Sequence, residues 1–443
     1  MLLNRSLASP TCSSSRRIAT VAGSSRLWVC CCLPLALVAA QLAACSLPPQ
    51  ASVLRVGALF PLSNSQAPLA SEEFAGVQIA ADLANSDGGV AGRQIQLDTR
   101  DLTVREDAEN RVASLRADGV DVIIGTYSSS LSMPASQAAT SLDIVYWEAG
   151  AVADQVTGRG LPLVFRVGAI GRNLGGMSSQ FVADVIGPRL KRLPSQLRMA
   201  VVQEGDQYGT SVGGGAVESA QQLGIPVVAT VTYDAYTPDW PRVISVIKSS
   251  GADILVLVSY IPDGVAFREA MLASGLHVDA LIGSSMAECG PAFGALLGPD
   301  AVGIFASDRP AGSFNPKALN KTGRAVYERF VQRWQSTYHR PTTEEGLAGF
   351  ASAWALFHYV LPAATRAGDL SSQGIARAAR TMDLPSGSLA NGGGLRFSQS
   401  PDSMGQNLDA PSVIWQWQAV RKSVTVYPPL FATAQPILIP LPR

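Results

Sequence analysis

Polar and aromatic side chains that could hold a ligand recur at one kind of place in this chain, just after short apolar runs. Ser128, Ser129 and Ser130 follow the run 122–124 and Gly125. Trp147, Glu148 and Gly150 close the run 144–147, and Asp206 and Tyr208 follow a run ending at Gln203. Tyr260 follows a run ending at Val258, and Ser284, Ser285 and Glu288 follow one ending at Gly283. Each run reads as a buried strand, and in an open α/β sheet ligands bind beyond the carboxyl ends of the strands. Hydroxyls, a few carboxylates and aromatic faces make up a small-molecule pocket. Any one of these loops alone reads as a solvated turn; their repetition over five strand ends points to a common cleft.

Reactive chemistry is poorly supplied. Gly209-Thr210-Ser211-Val212-Gly213 fits the Gly-x-Ser-x-Gly nucleophile elbow, and His277, His339 and His358 lie downstream, as a hydrolase triad requires. An elbow serine sits on the tight turn between strand and helix, however. Ser211 lies several residues past its strand, within a helix start, and His358 falls in an apolar helical run. A serine hydrolase using Ser211 is therefore a remote alternative. Gly213-Gly214-Gly215 lacks the Lys-Ser/Thr of a phosphate loop and the spacing of a dinucleotide fingerprint; helix flexibility or close helix contact is the expected reason for it. With three histidines, scattered acids and no zinc-like cysteine spacing, no metal and no cofactor are expected.

The elements that would position these loops alternate. Strand signals at 54–60, 94–100, 122–124, 144–147 and 163–167 are interleaved with helical spacing over 71–86, over 106–117 and from Met133. Glu72 and Glu73 suit the first turn of the 71–86 helix. Strands at 199–203, 226–231, 254–258 and 281–283 alternate with helices at 171–190, 210–223, 239–250 and 264–274. This order predicts mostly parallel sheets with helices on both faces. The last third carries helical stretches at 317–338, 344–366 and 373–382, a glycine turn at 391–394, strands at 413–417 and 423–426, and a Pro-rich tail expected to wrap the surface.

The chain has 443 residues, 47% hydrophobic and 15% charged, long enough for two globular lobes. Residues 1–44 read as targeting. Arg5, Arg16, Arg17 and Arg26 precede or open an apolar run, 27–40, that is shorter than the roughly 20 residues of a spanning helix. The run leads to Leu42-Ala43-Ala44-Cys45, similar to the lipobox of bacterial lipoproteins, which makes Cys45 the expected lipidation site; an ordinary cleaved signal and an uncleaved anchor are the alternatives. Four of the six cysteines lie before Cys45, so Cys289 would be the one remaining thiol and no internal disulfide is expected. No basic stripe suggests nucleic acid.

With these residues in view, the chain resembles the type I periplasmic binding proteins, in their branched-chain amino-acid and amide branch. The resemblance rests on Val56-Gly57-Ala58-Leu59-Phe60-Pro61-Leu62, on Asp87-Gly88-Gly89-Val90-Ala91-Gly92-Arg93, on Ser128-Ser129-Ser130 with Pro134-Ala135-Ser136, on Phe165-Arg166 and on Asp206-Gln207-Tyr208-Gly209. It implies two doubly wound α/β lobes joined by three hinge crossings, near 166–168, 307–310 and 385–395. The expected layout is a signal at 1–44, a lipidated tether at 45–52, lobe 1 at 53–167 and 309–385, lobe 2 at 168–308 and 386–430, and a tail at 431–443. It also implies a monomeric substrate-binding subunit of an ABC importer, held outside the cytoplasmic membrane, with a permease as partner. A sensor that reports ligand occupancy to a signalling protein is the other reading of such a cleft. By the same resemblance, Ser129 with Ser128 and Ser130 receives a carboxylate or amide, and Tyr208 and Tyr260 line the opposite wall. The family's acid for an α-ammonium is replaced by Ser285, with Glu288 three residues on. Trp147, Glu148 and Gly150 are similar to an aromatic-Glu-Gly stretch of amide- and urea-binding relatives. A small polar ligand follows: an amide, a urea-like compound or an atypical amino acid.

Overall fold

The computed structural model describes residues 53–442 except 289 and 311–313; the targeting segment, Cys45, the tether and Cys289 lie outside the described residues. The first part of the chain runs β1 (Val53–Phe60), α1 (Ala67–Ser86), β2 (Gln94–Asp101), α2 (Ala108–Ala117), β3 (Val122–Gly125), α3 (Ser129–Ser141), β4 (Val145–Glu148) and β5 (Val164–Arg166). The second part runs α4 (Gly171–Phe181), α5 (Gly187–Leu190), β6 (Met199–Glu204), α6 (Gln207–Gln222), β7 (Val227–Tyr233), α7 (Trp240–Ser250), β8 (Ile254–Val258), α8 (Ile261–Ala273), β9 (Ala280–Ser284), α9 (Pro291–Leu297) and β10 (Phe305–Asp308). The last part holds α10 (Lys321–Tyr338), α11 (Glu344–Trp354), α12 (Leu361–Arg366), α13 (Ser372–Arg380), β11 (Val413–Ala419) and β12 (Lys422–Tyr427).

The strands form two sheets, each the centre of a lobe. The first is all parallel in the order β2-β1-β3-β4-β5; the second runs β12-β11-β10-β9-β8-β6-β7, with only the β10–β11 and β11–β12 pairs antiparallel. Both faces of each sheet are covered, so the central strands are apolar and their successive residues enter opposite cores, while the edge strands β2 and β12 carry polar, partly exposed residues. In β1, Val56, Ala58 and Phe60 meet α1, α10 and α11, while Leu59 joins the core under α2 and α3. In β6, Met199 and Val201 face α4 and α6, while Ala200 and Val202 face α7 and α8. The chain order reverses between β1 and β3 in one sheet and between β6 and β8 in the other. The loops after those four strands therefore splay apart and open the crevices in which ligands bind.

The chain leaves β5 at Arg166 and enters α4 at Gly171. Two runs are tied together there: Asn407 N–H donates to Arg166 O and Arg166 N–H to Gly405 O, both at 2.9 Å, and Asn407 Nδ2 reaches Val167 O at 2.9 Å. The passage expected near 385–395 is displaced. Leu389, Leu395 and Phe397 pack in the core of the first sheet, with Phe397 against Trp147 and Phe165 at ring separations of 5.4 and 5.2 Å. The chain reaches the second sheet only with β11. The tail does follow the surface of the second lobe: Gln416 exchanges hydrogen bonds with the Ile437 backbone, and Leu441 is buried.

Helix 344–366 is continuous through a π-turn at Ala355–Val360. By length and composition it could cross a membrane, but 78% of its most apolar window is buried inside the lobe, so it is a core helix. It crosses α1 so closely that a Cβ on Gly76 would strike the Gly346 backbone. The triple glycine has the same kind of role: a Cβ on Gly215 would strike the Arg172 backbone in α4, whereas one on Gly214 would meet nothing within 4 Å. Gly76→Leu should accordingly cost about 3 kcal/mol or more, and Gly214→Ala should gain about 0.5–1 kcal/mol as a helix-interior replacement. Urea unfolding of both variants measures the contrast; equal effects would contradict the helix contacts.

Candidate ligand-binding site

On the first lobe, β3 delivers Thr126, Tyr127 and the serines into the start of α3. Ser128 is the N-cap, and its side chain makes no capping bond. The N–H groups of Ser129 and Ser130, at the first helical positions, have no intrahelical acceptor and make this end receptive to an anionic or carbonyl oxygen. The loop is held from behind. Thr126 Oγ1 donates to Ser128 O at 3.1 Å, Ser129 Oγ accepts Ala153 N–H at 3.1 Å, and the Ser128 and Ser130 hydroxyls lie 3.2 Å apart. Ser128 and Ser129 are buried.

Trp147 takes no part in this wall. Its ring fills the core beside Phe165 and Phe397, and its Nε1–H donates to Ser352 O at 2.9 Å. The apolar run ending there is strand interior up to and including the tryptophan. Glu148 is fully buried and engaged: Oε1 accepts N–H groups of Gly150 and Ala151, both at 2.8 Å, and Oε2 accepts the Ser132 hydroxyl. Burial, opposed by these hydrogen bonds, pushes its pKa up to about 7. Glu148 thus braces the turn after β4. Gly150 leaves room that a Cβ would take from the carboxylate of Glu73.

On the second lobe, Tyr208 and Tyr260 stand after β6 and β8, the two strands flanking the reversal, with ring centroids 5.4 Å apart. Tyr208 is buried; its oxygen accepts Met286 N–H at 3.2 Å, and the Ser284 and Ser285 hydroxyls lie against it. Tyr260 is half-buried and donates to Asp206 Oδ2 at 2.5 Å. Glu288 turns back under its own strand. Its Oε1 accepts the Ser259 hydroxyl at 2.9 Å and Oε2 accepts Ser284 N–H at 3.2 Å, while a Cβ on Gly283 would strike its side chain. Burial raises its pKa to about 8. It props two loops instead of offering a charge to the opening.

The walls touch. Helix α3 contacts α6, and Ser211 Oγ accepts Asp154 N–H at 3.1 Å and donates to Gln155 Oε1 at 3.0 Å. Ser211 therefore joins the loop after β4 to α6, and none of the three histidines is among its hydrogen-bond partners. His358 stacks on Trp354 at 4.6 Å.

Sequence reasoning missed an acidic group beside the serine loop. Helix α1 begins at Ala67, ahead of the expected 71, so Glu73 is not a solvated first-turn acid; it is fully buried. Glu344 and Glu345 open α11, also buried, and Arg309 reaches them: its Nε lies 2.6 Å from Glu344 Oε1, and Nη1 donates to Gly150 O at 3.1 Å. The Tyr127 phenol lies in the field of these groups. Burial and the mutual repulsion of the acids hold Glu73 and Glu345 well above the usual carboxylate range. Burial opposes Arg309's charge, but Glu344, Asp308 and Glu73 outweigh it and raise its pKa. The paired acids at 72–73 and 344–345 were the available signal; they look like ordinary helix starts.

Glu148 and Glu288 bind protons more readily folded than unfolded. Their contribution to stability is fully present below about pH 4.5 and is lost as pH rises through about 7 and about 8. The melting temperature of the unliganded protein should therefore fall between pH 5 and 8.5. Glu288→Gln should flatten the fall, since a shift of this size is worth roughly 3 kcal/mol or more. A variant as steep as the wild type would contradict the buried placement.

A family model described as periplasmic binding protein matches residues 53–408. A Leu/Ile/Val-binding protein homolog 8 of Brucella abortus (strain 2308) is 31% identical over 386 residues, 86% of this chain and 92% of the relative. Among solved structures, a leucine binding protein from Thermotoga maritima superposes with a TM-score of 0.69 at 18% identity, over 85% of this chain and 98% of its own. A solute binding protein of an ABC transporter from R. palustris, in complex with benzoate, gives 0.66 at 20% identity, over 88% and 99%. The match of a family model across both lobes, together with a relative at this identity along nearly its whole length, shows that the chain belongs to the periplasmic binding protein family.

Proposed function

We propose that the mature chain is the extracytoplasmic, lipid-anchored substrate-binding subunit of an ABC importer. It takes a small polar ligand (an amide, a urea-like compound or an amino acid) between its lobes, closes about the crossings and presents it to a permease. The observation that carries this reading is the pairing of two reversal points. The open N–H groups at the start of α3 stand at one, and the Tyr208–Tyr260 pair with Ser285 stands at the other. The first suits a carboxylate or amide oxygen; the second supplies aromatic walls and hydroxyls for a compact body. The relatives support the class. The Brucella protein is named for leucine, isoleucine and valine, and one neighbouring structure holds benzoate. Ligand chemistry thus varies on this fold, and the residues of the individual cleft must choose.

Glu148 and Glu288 could each have supplied a counter-charge for an α-ammonium. Both are held by groups of their own lobe. This favours ligands whose nitrogen is neutral, or whose charge is met elsewhere in the cleft. Thermal shift and calorimetry of the mature protein with acetamide, urea, branched-chain amino acids and benzoate distinguish the classes. A ligand at 100 times its Kd should add about 2.7 kcal/mol of stability. Ser129→Ala should weaken such binding by about ten- to a hundredfold if the hydroxyl meets a charged group. Tight binding of leucine, isoleucine or valine with no response to amides would contradict the amide assignment.

The lipid anchor is tested separately. Cys45→Ser should abolish incorporation of labelled fatty acid and move the protein from the membrane to the soluble fraction of the envelope. Unchanged labelling would exclude Cys45 as the acceptor.

A further inference from the structure

Glu73 is a buried carboxyl that the fold leaves unmet. Its side chain is fully buried in α1, and neither carboxylate oxygen has a hydrogen-bond partner among the described residues. The nearest cation, Arg309 Nη1, is 4.0 Å away, beyond hydrogen-bond reach. Arg309 is engaged elsewhere, by Glu344 at 2.6 Å and by the carbonyls of Gly150 at 3.1 Å and Ala149 at 3.4 Å. A buried polar group left in this state is costly, as is a buried ionic arrangement left open.

The surroundings add negative charge. The carboxyls of Glu148, Glu344 and Glu345 are buried within electrostatic reach of Glu73, and Arg309 is the cation opposing them. Glu148 is satisfied by three donors, whereas Glu73 has none among the described residues. Its position is specific: the carboxylate lies over Gly150, where any Cβ would displace it, and it shares its field with Tyr127, the residue before the serine loop. An unpartnered acceptor therefore stands under Gly150, on the lobe that carries the donor-rich start of α3. A nitrogen bearing hydrogens is complementary to such an acceptor.

We propose that Glu73, with Glu344 and Glu345 behind it, receives the N–H-bearing end of the ligand, while the start of α3 receives its oxygen end. The first lobe then holds both polar ends, and the second lobe closes over the body of the ligand with Tyr208 and Ser285. The subsite rests on the reading of the chain as a substrate-binding protein. It assigns the nitrogen to an acid of the first lobe, although Ser285 stands at the position where the resemblance would put an acid on the second.

Calorimetry with L-leucine, acetamide, urea and 4-methylpentanoate, which lacks the nitrogen, tests it on the mature wild type and on Glu73→Gln. At least one nitrogen-bearing probe should bind the wild type, and 4-methylpentanoate should bind at least tenfold more weakly than that probe. Glu73→Gln should weaken the nitrogen-bearing probe tenfold or more, and Glu73→Asp should restore part of the loss. Equal binding of 4-methylpentanoate, or an unchanged Glu73→Gln, overturns the subsite while leaving the substrate-binding reading in place. No binding of any probe to the wild type overturns that reading and the subsite with it. Should neither variant fold, the wild-type comparison with 4-methylpentanoate decides alone.

Discussion

Arg309 is buried where the chain crosses between lobes, and what surrounds the cleft depends on how its charge is met. Taking a guanidinium out of water is tolerated only with close, well-placed acceptors. Here these are the Glu344 carboxylate and two carbonyls of the loop after β4. The planar fork of the arginine ties the start of α11, through the Glu344 carboxylate, to the loop after β4, as a lysine could not. Its side chain also lies against Gly168, so the first and second passages are neighbours. Arg166 clamps the other side: Nε donates to Gln406 Oε1 at 2.7 Å, and Nη1 donates to Ala151 O and Ala153 O at 3.0 and 2.7 Å. Burial brings its pKa down to about 10, which leaves it charged at neutral pH.

The two arginines hold the turn after β4 from both sides, and that turn in turn steadies Ser129 through Ala153. Binding groups supported in this way lose little freedom when a ligand arrives, which favours affinity. Closure about the crossings can be driven only as far as a ligand binds the closed form better than the open one. Contacts from both lobes are therefore needed. In the proposed mode, polar groups on the first lobe would capture the ligand, and aromatic and hydroxyl groups on the second would make closure favourable.

The α/β alternation was legible because apolar runs and helical spacing carry it directly, and the strand-end loops followed from it. Four features were not legible for identifiable reasons. Strand β10 is four residues long and ends in Ser307 and Asp308, so it lacked the apolar signature of its neighbours. The stretch after α13 has the Gly, Ser and Pro composition of a connection, yet Leu389, Leu395 and Phe397 complete the first core. Trp147 looked like a pocket aromatic because it stands near the end of a run, and strand periodicity could not say that its ring turns inward. The acidic group was hidden by sequence distance: Glu73, Arg309 and Glu344 meet only after two passages of the chain, and each looks unremarkable in its own segment.

The measurement that bears most directly on this account is a crystal structure of the protein purified natively with the ligand it retains. The account predicts one small molecule between the lobes, its oxygen end at the N–H groups of Ser129 and Ser130 and its nitrogen within about 3 Å of Glu73. A ligand whose nitrogen is met by the second lobe, or one seated outside the cleft, would contradict it.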